Sequence, residues 1–287
     1  MDQASTVATS RAIGRRNVLR WIPAALAACP LALSALNAPA QPGERRVALV
    51  IGNGSYKSAP LKNPVGDAQA VATSLRALGY EVTIRENTSL RDMIEALREF
   101  SVRAASASVR LLFYAGHGIQ AKGRNYLLPV DVEPQGEDEV AAKCADVGEF
   151  IDRLSANKKG LNLVVLDACR VNPFIDGVIV GPDGRRLKFR GMTPKGLAPL
   201  DAPVGTLVAF STAPNGVALD GPKGEHSIYA KHLLANIQTP GLPVEQLFKR
   251  VRIGVAEETQ RVQVPWESSS LTTDFCFKPD PRGQCGA

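Results

Sequence analysis

The sequence of 287 residues contains few of the side chains from which metal and cofactor sites are built. Its three histidines, His117, His226 and His232, cannot form an HExxH metal motif. None of its five cysteines forms a CxxC pair, which argues against a zinc ribbon or a thioredoxin-type redox site. It has no GxxxxGK[ST] motif, and Lys57 stands where a GxGxxG pattern would need its third glycine. Nucleotide binding is therefore not predicted.

Long runs of one charge are also absent. Basic runs are no longer than pairs and do not alternate with aromatic residues, so no nucleic-acid partner is predicted. The net charge is +6, but four of the 34 basic and one of the 28 acidic residues lie in residues 1–40, which leaves +3 for the rest. After residue 40, no apolar stretch reaches the roughly 20 residues that span a bilayer. No membrane span is predicted.

The first 40 residues resemble an export signal. An arginine-rich start precedes a mostly apolar segment over residues 21–36. Ala38 and Ala40 then have the small-x-small spacing that signal peptidase accepts. We expect a signal peptide over residues 1–40, cleavage after Ala40, and a periplasmic or secreted protein.

The type of export signal is less sharply defined. Arg15 and Arg16 resemble a twin-arginine signal, although Gly14 stands where such signals usually have Ser or Thr. Ordinary secretion is therefore an alternative. The sequence LAAC ending at Cys29 resembles a lipobox, so lipidation there is another alternative. A membrane anchor is a further one, but two prolines interrupt the short apolar segment.

Four cysteines follow this segment: Cys144, Cys169, Cys276 and Cys285. The last two lie close together, and an oxidising compartment would allow a disulfide between them. The sequence leaves their pairing open.

Strand-like and helix-like runs alternate from residue 45 onward. Short apolar or alternating runs predict strands over 45–52, 80–87, 109–116, 125–132, 161–168, 205–212 and 269–277. Helical spacing predicts helices over 67–79, 89–105, 146–156, 227–237 and 243–260. Ser89 is a predicted N-cap, with Asp92 at the capping-box position. The alternation predicts an α/β fold with a mainly parallel sheet, interrupted by a long basic loop over residues 171–203.

Two chemistry-bearing residues directly follow buried strands of this predicted sheet. His117, between Gly116 and Gly118, follows the strand 109–116, and Cys169 follows the strand 161–168. Active sites of parallel α/β sheets lie beyond the carboxyl ends of the strands, so neighbouring strands would bring the thiol and the imidazole together. The flanking glycines would let a substrate backbone approach closely.

A cysteine paired with a histidine is typical of nucleophilic catalysis. The thiolate attacks a carbonyl carbon, and the imidazolium lowers the thiol pKa and protonates the leaving amine. The backbone N–H groups of Gly118 and Cys169 would bind the developing oxyanion. Taken singly, His117 fits a strand-end histidine and Cys169 a small buried apolar residue. Their joint placement favours catalysis.

Both stretches resemble the catalytic motifs of a known family. LLFYAGHG and LNLVVLDACRVNPF are similar to the two motifs of caspase-like cysteine peptidases, which include caspases, metacaspases, paracaspases and bacterial relatives. The resemblance covers roughly residues 45–277. It implies one peptidase domain over residues 41–287, with helices on both faces of a mostly parallel sheet in a three-layer sandwich. It also implies that His117 and Cys169 form the catalytic dyad.

The resemblance further implies an acidic substrate pocket, because the chain is more similar to the paracaspase and metacaspase branches than to caspases that cut after Asp. Asp67 and Asp167 match acidic positions of that pocket, and Asp220 is a third candidate. Such a pocket implies cleavage after Arg and then Lys. Structural alternatives are a helix N-cap for Asp67, an orienting carboxylate for Asp167 and a turn residue for Asp220.

The loop over residues 171–203 corresponds to a region that is often a self-cleavage linker in this family. Arg186, Lys188 and Arg190 are the candidate autoprocessing sites. A solvated charged loop is the alternative.

No organic cofactor and no tightly bound metal are predicted. Calcium activation stays open, with a weak candidate acidic stretch formed by Glu133, Glu137, Asp138 and Glu139. Protein or peptide substrates with a basic residue before the cut are the expected partners, and the sequence does not decide between monomer and dimer. The alternatives to an endopeptidase are a latent scaffold protein on the same fold and an amide or acyl transferase that uses the same dyad.

Overall fold

The central feature of the fold is a six-stranded sheet with helices on both faces. The computed structural model describes residues 44–157, 159–168, 177–180, 186–189, 200, 202–213, 216 and 218–286. The expected signal peptide over residues 1–40, Cys29 within it, and Cys169 lie outside the described residues.

The strands of the sheet occur in the spatial order β11-β10-β7-β3-β1-β2. They are β1 (Arg46–Gly52), β2 (Glu81–Glu86), β3 (Val109–Gly116), β7 (Leu161–Ala168), β10 (Thr206–Phe210) and β11 (Trp266–Ser269). All neighbouring pairs are parallel except β10 with β11. Short strands outside it are β4 (Gly118–Ala121), β5 (Arg124–Leu127), β6 (Ala145–Asp146), β8 (Gly177–Val180) and β9 (Arg186–Phe189). The mostly parallel sheet of the sequence prediction is confirmed.

Two helical layers cover the faces of this sheet. The helices are α1 (Pro64–Ala77), α2 (Leu90–Ala104), α3 (Glu137–Lys143), α4 (Val147–Ser155), α5 (Ile228–Ile237) and α6 (Val244–Glu258). Because side chains alternate along a strand, Leu111 and Phe113 of β3 pack in one buried cluster with α1, α5 and α6. Leu112 and Tyr114 pack in the other cluster, with α2 and α4. This is the three-layer α/β arrangement that the resemblance implied.

Some local predictions agree closely with the structure. The strands predicted over 109–116 and 161–168 are β3 and β7. Ser89 is the N-cap of α2, and its hydroxyl accepts the backbone N–H of Asp92 at 3.1 Å. In these segments a continuous apolar run or a local cap specifies the element.

Other predictions need correction. The strand predicted over 269–277 is wrong, because the strand that pairs with β10 is β11, which ends at Ser269. Residues after it leave the sheet and bury Phe275 and Phe277 in the core. The loop over 171–203 is not free of regular structure, since β8 and β9 within it pair antiparallel.

The end of the described chain is held against the start of β1. Cys276 and Cys285 form a disulfide with a Cα–Cα distance of 5.5 Å. The guanidinium of Arg46 donates to the carbonyl oxygen of Phe277 at 2.8 Å and lies over the rings of Tyr80 and Phe275. These contacts lie at the amino-terminal end of β1, at the edge of the sheet opposite the carboxyl ends of the parallel strands. Among the described residues, no helix has the length and apolar character that crossing a membrane requires.

Candidate active site

The candidate site lies at the carboxyl edge of the sheet, where β3 and β7 end side by side. The two strands are parallel neighbours, and Gly116 is the register partner of Ala168. His117 follows Gly116 directly, and Cys169 follows Ala168 in the sequence. Adjacent strands are about 4.8 Å apart, so Gly116, directly before His117, lies beside Ala168 at this edge. Cys169 and its backbone N–H lie beyond what the structure describes.

Gly116 is required by packing rather than by substrate access alone. Its φ is +155°, and a Cβ atom there would lie 2.6 Å from the hydroxyl oxygen of Tyr56 and 2.7 Å from that of Tyr114. Only a residue without a side chain leaves both hydroxyls in place. The sequence-based reason for this glycine, an open approach for substrate, is therefore incomplete.

The two tyrosines hold the backbone of His117. Its N–H donates to the hydroxyl of Tyr56 at 2.9 Å, and its carbonyl accepts the hydroxyl of Tyr114 at 2.7 Å. The hydroxyl of Tyr56 in turn donates to the carbonyl of Leu128 at 3.1 Å. Burial raises the pKa of Tyr56 to about 12, so it stays a neutral donor and acceptor at physiological pH.

The imidazole of His117 is held by the loop between β1 and α1, which also contains Tyr56. Its Nε2 lies 2.7 Å from the carbonyl oxygen of Ala59, and its ring centroid lies 4.4 Å from that of Tyr56. Because a carbonyl only accepts, Nε2 carries the proton and the neutral ring has its lone pair on Nδ1. Burial lowers the pKa of His117, while the Ala59 carbonyl and the charge of Asp220 act in the opposite direction. The arrangement suits a histidine that accepts and returns a proton at Nδ1.

Beside Gly116 the structure contains a narrow acidic cavity of roughly 30 Å³. Asp67 of α1, Asp167 of β7 and Asp220 from the loop before α5 line it together. The family resemblance assigned these three carboxylates to one substrate pocket. The structure brings them together from three separate parts of the chain. Ser227, the N-cap of α5, lines the same cavity.

Asp67 and Asp167 are both buried, with 1% and 6% of their surface exposed. Asp167 accepts the hydroxyl of Ser227 at 2.5 Å. Burial, and secondly the charge of Asp67, raises the pKa of Asp167 to about 7. Such crowding of carboxylates in a low-dielectric cavity favours the entry of a cation, which restores their ionised forms.

Asp67 has two donors of its own. The imidazole Nδ1 of His226 lies 2.7 Å from its Oδ1, and the backbone N–H of Ser227 donates to its Oδ2 at 3.2 Å. Burial raises the pKa of Asp67, and both donors oppose that rise. Asp67 is not a helix N-cap, since Asn63 has that position in α1.

Asp220 has a structural contact as well as a place in the cavity wall. Its half-buried carboxylate accepts the backbone N–H groups of Lys62 at 2.6 Å and Asn63 at 3.3 Å. These bonds hold its loop against the start of α1. The turn-residue alternative and the pocket assignment therefore both fit this side chain.

Sequence reasoning missed four contributors to this edge: Tyr56, Ala59, His226 and Ser227. The rarity of histidine, and the Ser227 cap signal directly after His226, were the available hints. Of the other predicted residues, Gly118 begins β4, while Arg186 and Lys188 belong to β9. Arg190 lies outside the described residues.

The acidic side chains considered as calcium ligands bind other groups of the protein. Glu137 accepts the backbone N–H of Lys122 at 2.6 Å, Asp138 pairs with the Lys122 ammonium, and Glu139 pairs with Lys143 at 2.7 Å. Within the described part of the chain, no group of three or more His, Cys, Asp or Glu side chains is arranged to hold a metal ion.

Comparison with known proteins agrees with the geometry of the fold. A family model described as the caspase domain, a peptidase family, matches residues 45–276. Over 135 residues, or 47% of this chain, the sequence is 32% identical to mucosa-associated lymphoid tissue lymphoma translocation protein 1 of Homo sapiens. It is 33% identical over the same length to the Mus musculus homolog. The aligned stretch spans 16% of each of these relatives. With four fifths of its length matched, the chain belongs to the caspase domain family of peptidases.

Proposed function

We propose that this chain is a cysteine endopeptidase that cleaves peptide bonds after Arg and Lys. Its membership of a peptidase family supports cysteine peptidase chemistry in general. The observation that carries the specificity is the cavity lined by Asp67, Asp167 and Asp220 directly beside the loop of His117. A guanidinium or ammonium group would enter this cavity with favourable charge, whereas a substrate carboxylate would meet like charge.

In the proposed mechanism, the thiol proton of Cys169 passes to Nδ1 of His117. The thiolate sulfur then bonds to the substrate carbonyl carbon. As the bond to the amide nitrogen breaks, His117 returns the proton to the leaving amine. Water next attacks the acyl-enzyme, with His117 taking its proton, and the thiol is released with the new carboxyl group.

The surroundings of His117 support this role. The carbonyl of Ala59 keeps the proton on Nε2 and would stabilise the imidazolium that forms in the first step. The backbone N–H groups of Gly118 and Cys169 are the proposed oxyanion donors: Gly118 directly follows His117 at the start of β4, and Cys169 is the proposed nucleophile. No organic cofactor enters this chemistry.

The basic loop extends the proposal to self-processing. Arg186, Lys188 and Arg190 are the proposed cleavage sites, because they supply the basic side chains that the acidic cavity would accept. Intermolecular cleavage of this loop by active enzyme, added to a Cys169→Ala chain, is the expected behaviour. Cleavage at these residues would be read by mass spectrometry of the fragments.

We also propose that the protein is exported, with residues 1–40 as signal peptide and residues 41–287 as mature domain. The Cys276–Cys285 disulfide supports an oxidising compartment. Lipidation at Cys29 is the alternative that mass determination of the mature N-terminus would detect.

The central test is fluorophore release from matched peptides ending in Arg, Lys or Asp. Wild type and Cys169→Ala are compared under reducing conditions, with calcium or with a chelator. Release after Arg and Lys that disappears in the variant is the expected result. Release after Asp would keep the dyad and overturn the pocket assignment. Silence on all peptides, with binding of a protein partner, would favour the scaffold alternative.

A further inference from the structure

His226 contacts Asp67, one of the carboxylates that line the acidic cavity. Its Nδ1 lies 2.7 Å from Oδ1 of Asp67, and the imidazole is 38% exposed while the carboxylate is buried. A carboxylate oxygen accepts, so Nδ1–H of His226 is the donor. The Nδ1 edge of the ring therefore faces one oxygen of Asp67.

The need for such a donor follows from the crowding of the cavity. Asp167 faces Asp67 from β7, and Asp220 faces it from the loop before α5. Burial and the charge of Asp220 act to keep Asp67 protonated. In the described part of this edge, His117, which follows β3, is a further titratable group. A neutral Asp67 would offer a basic substrate one charge fewer.

Among the described residues, two groups act against that protonation, the imidazole of His226 and the backbone N–H of Ser227. The donor from Ser227 is its backbone N–H. The side-chain hydroxyl of Ser227 instead donates to Asp167 and caps α5 by accepting the N–H of Ala230 at 2.9 Å. The side chain of His226, by contrast, makes its polar contact with Asp67.

We propose that His226 is a positioning residue for the substrate pocket: its Nδ1–H holds the Asp67 carboxylate in the orientation in which the cavity receives a basic side chain. This inference rests on the proposed function, because it assigns His226 to the specificity of that same site. His226 would act through Asp67 and would not touch the reacting atoms.

Three variants test the role. His226→Ala removes the donor and should raise KM for Arg peptides about tenfold at the acidic end of the activity profile, the size expected for one hydrogen bond to a charged group. The loss should shrink at high pH, where Asp67 ionises without help, and kcat should change less. His226→Asn places an amide N–H close to the position of Nδ1 and should restore KM. His232→Ala is the matched control, because its Nε2 bonds Glu258 at 2.8 Å on α6, away from the cavity.

A second measurement separates this inference from the proposed function. The ionisation of Asp67 is followed by carbon NMR of labelled aspartate in the full Cys169→Ala chain, with Asp67→Asn assigning the signal. In His226→Ala the midpoint should move to higher pH, and in His232→Ala it should not. If Arg and Lys peptides are never cleaved yet the midpoint moves, the proposed function fails and the positioning role stands. An unmoved midpoint with an unchanged pH profile overturns the role.

Discussion

Gly116 and Ala168 are register partners at the last position of two parallel strands. The pairing brings the carboxyl ends of β3 and β7 together at one edge of the sheet. The proposed base, His117, is the first residue after β3 and therefore lies at this edge.

Replacement of the proposed nucleophile should abolish cleavage. Cys169→Ala is expected to lower kcat on the order of 10³-fold or more, because no other group supplies the acyl-enzyme. Cys144→Ala is a matched control: Cys144 is a buried free thiol whose pKa is raised by burial to about 12. It should retain full activity. Peptidase assays on both variants decide the matter, and an inactive Cys144→Ala with normal folding would contradict the assignment.

The buried Asp167 should make stability depend on pH. Its pKa is raised from 3.8 to about 7 by burial and by the charge of Asp67. The native state therefore holds this proton more tightly than the unfolded chain. Stability is largest below the unfolded pKa and should fall as pH rises toward 7, by on the order of 4 kcal/mol for about three pKa units.

Denaturant unfolding between about pH 4 and pH 8 measures this dependence. Asp167→Asn should remove most of it, whereas Asp152→Asn, at an exposed position of α4, should leave it in place. An Asp167→Asn protein whose stability still falls with the wild-type slope would assign the dependence to other groups.

The hydroxyl of Tyr56 should matter for both folding and turnover. Tyr56→Phe leaves the N–H of His117 without its acceptor, and this should cost about 1–3 kcal/mol of unfolding free energy. Because the lost hydrogen bond holds the backbone of His117, the variant should also show a larger decrease in kcat than increase in KM. Tyr80→Phe is the matched control, because the buried hydroxyl of Tyr80 has no hydrogen-bond partner in the described structure. Equal losses in both variants would show a packing effect alone.

The export route can be tested on the basic start of the chain. Changing Arg15 and Arg16 together to Lys should stop export through a twin-arginine pathway, while Arg11→Lys should not. Immunoblots of periplasmic and cytoplasmic fractions report the distribution. Undiminished export of the double variant would indicate ordinary secretion.

Sequence patterns predicted the buried strands well because each is a continuous apolar run bounded by polar or small residues. The hairpin of β4 and β5 was missed, although the segment 125–132 was expected to be extended. Its turn places Lys122 at φ +47° and Gly123 at φ +77°. Such turns usually carry Asn or Asp before the glycine, so lysine gave no signal.

The start of α1 shows the same limit. The helix begins at Pro64, but the side chain of its N-cap Asn63 does not cap it and instead donates to the carbonyl of Pro222 at 2.9 Å. Sequence rules for helix starts consider only neighbouring residues, so they do not predict a contact between residues 63 and 222. The bond between His226 and Asp67 spans 159 positions and was beyond pattern reasoning for the same reason.

The hydrogen bond between Arg46 and Phe277 has a practical consequence for handling the protein. Both residues lie at the amino-terminal edge of the sheet, and β1 then runs seven residues, about 20 Å, to the edge that carries His117. An affinity tag, a fluorescent fusion or a surface tether joined after residue 287 would therefore emerge on the side away from the edge that carries His117. Such attachments should leave His117 and the acidic cavity accessible, and immobilised protein should cleave the test peptides as fast as protein in solution.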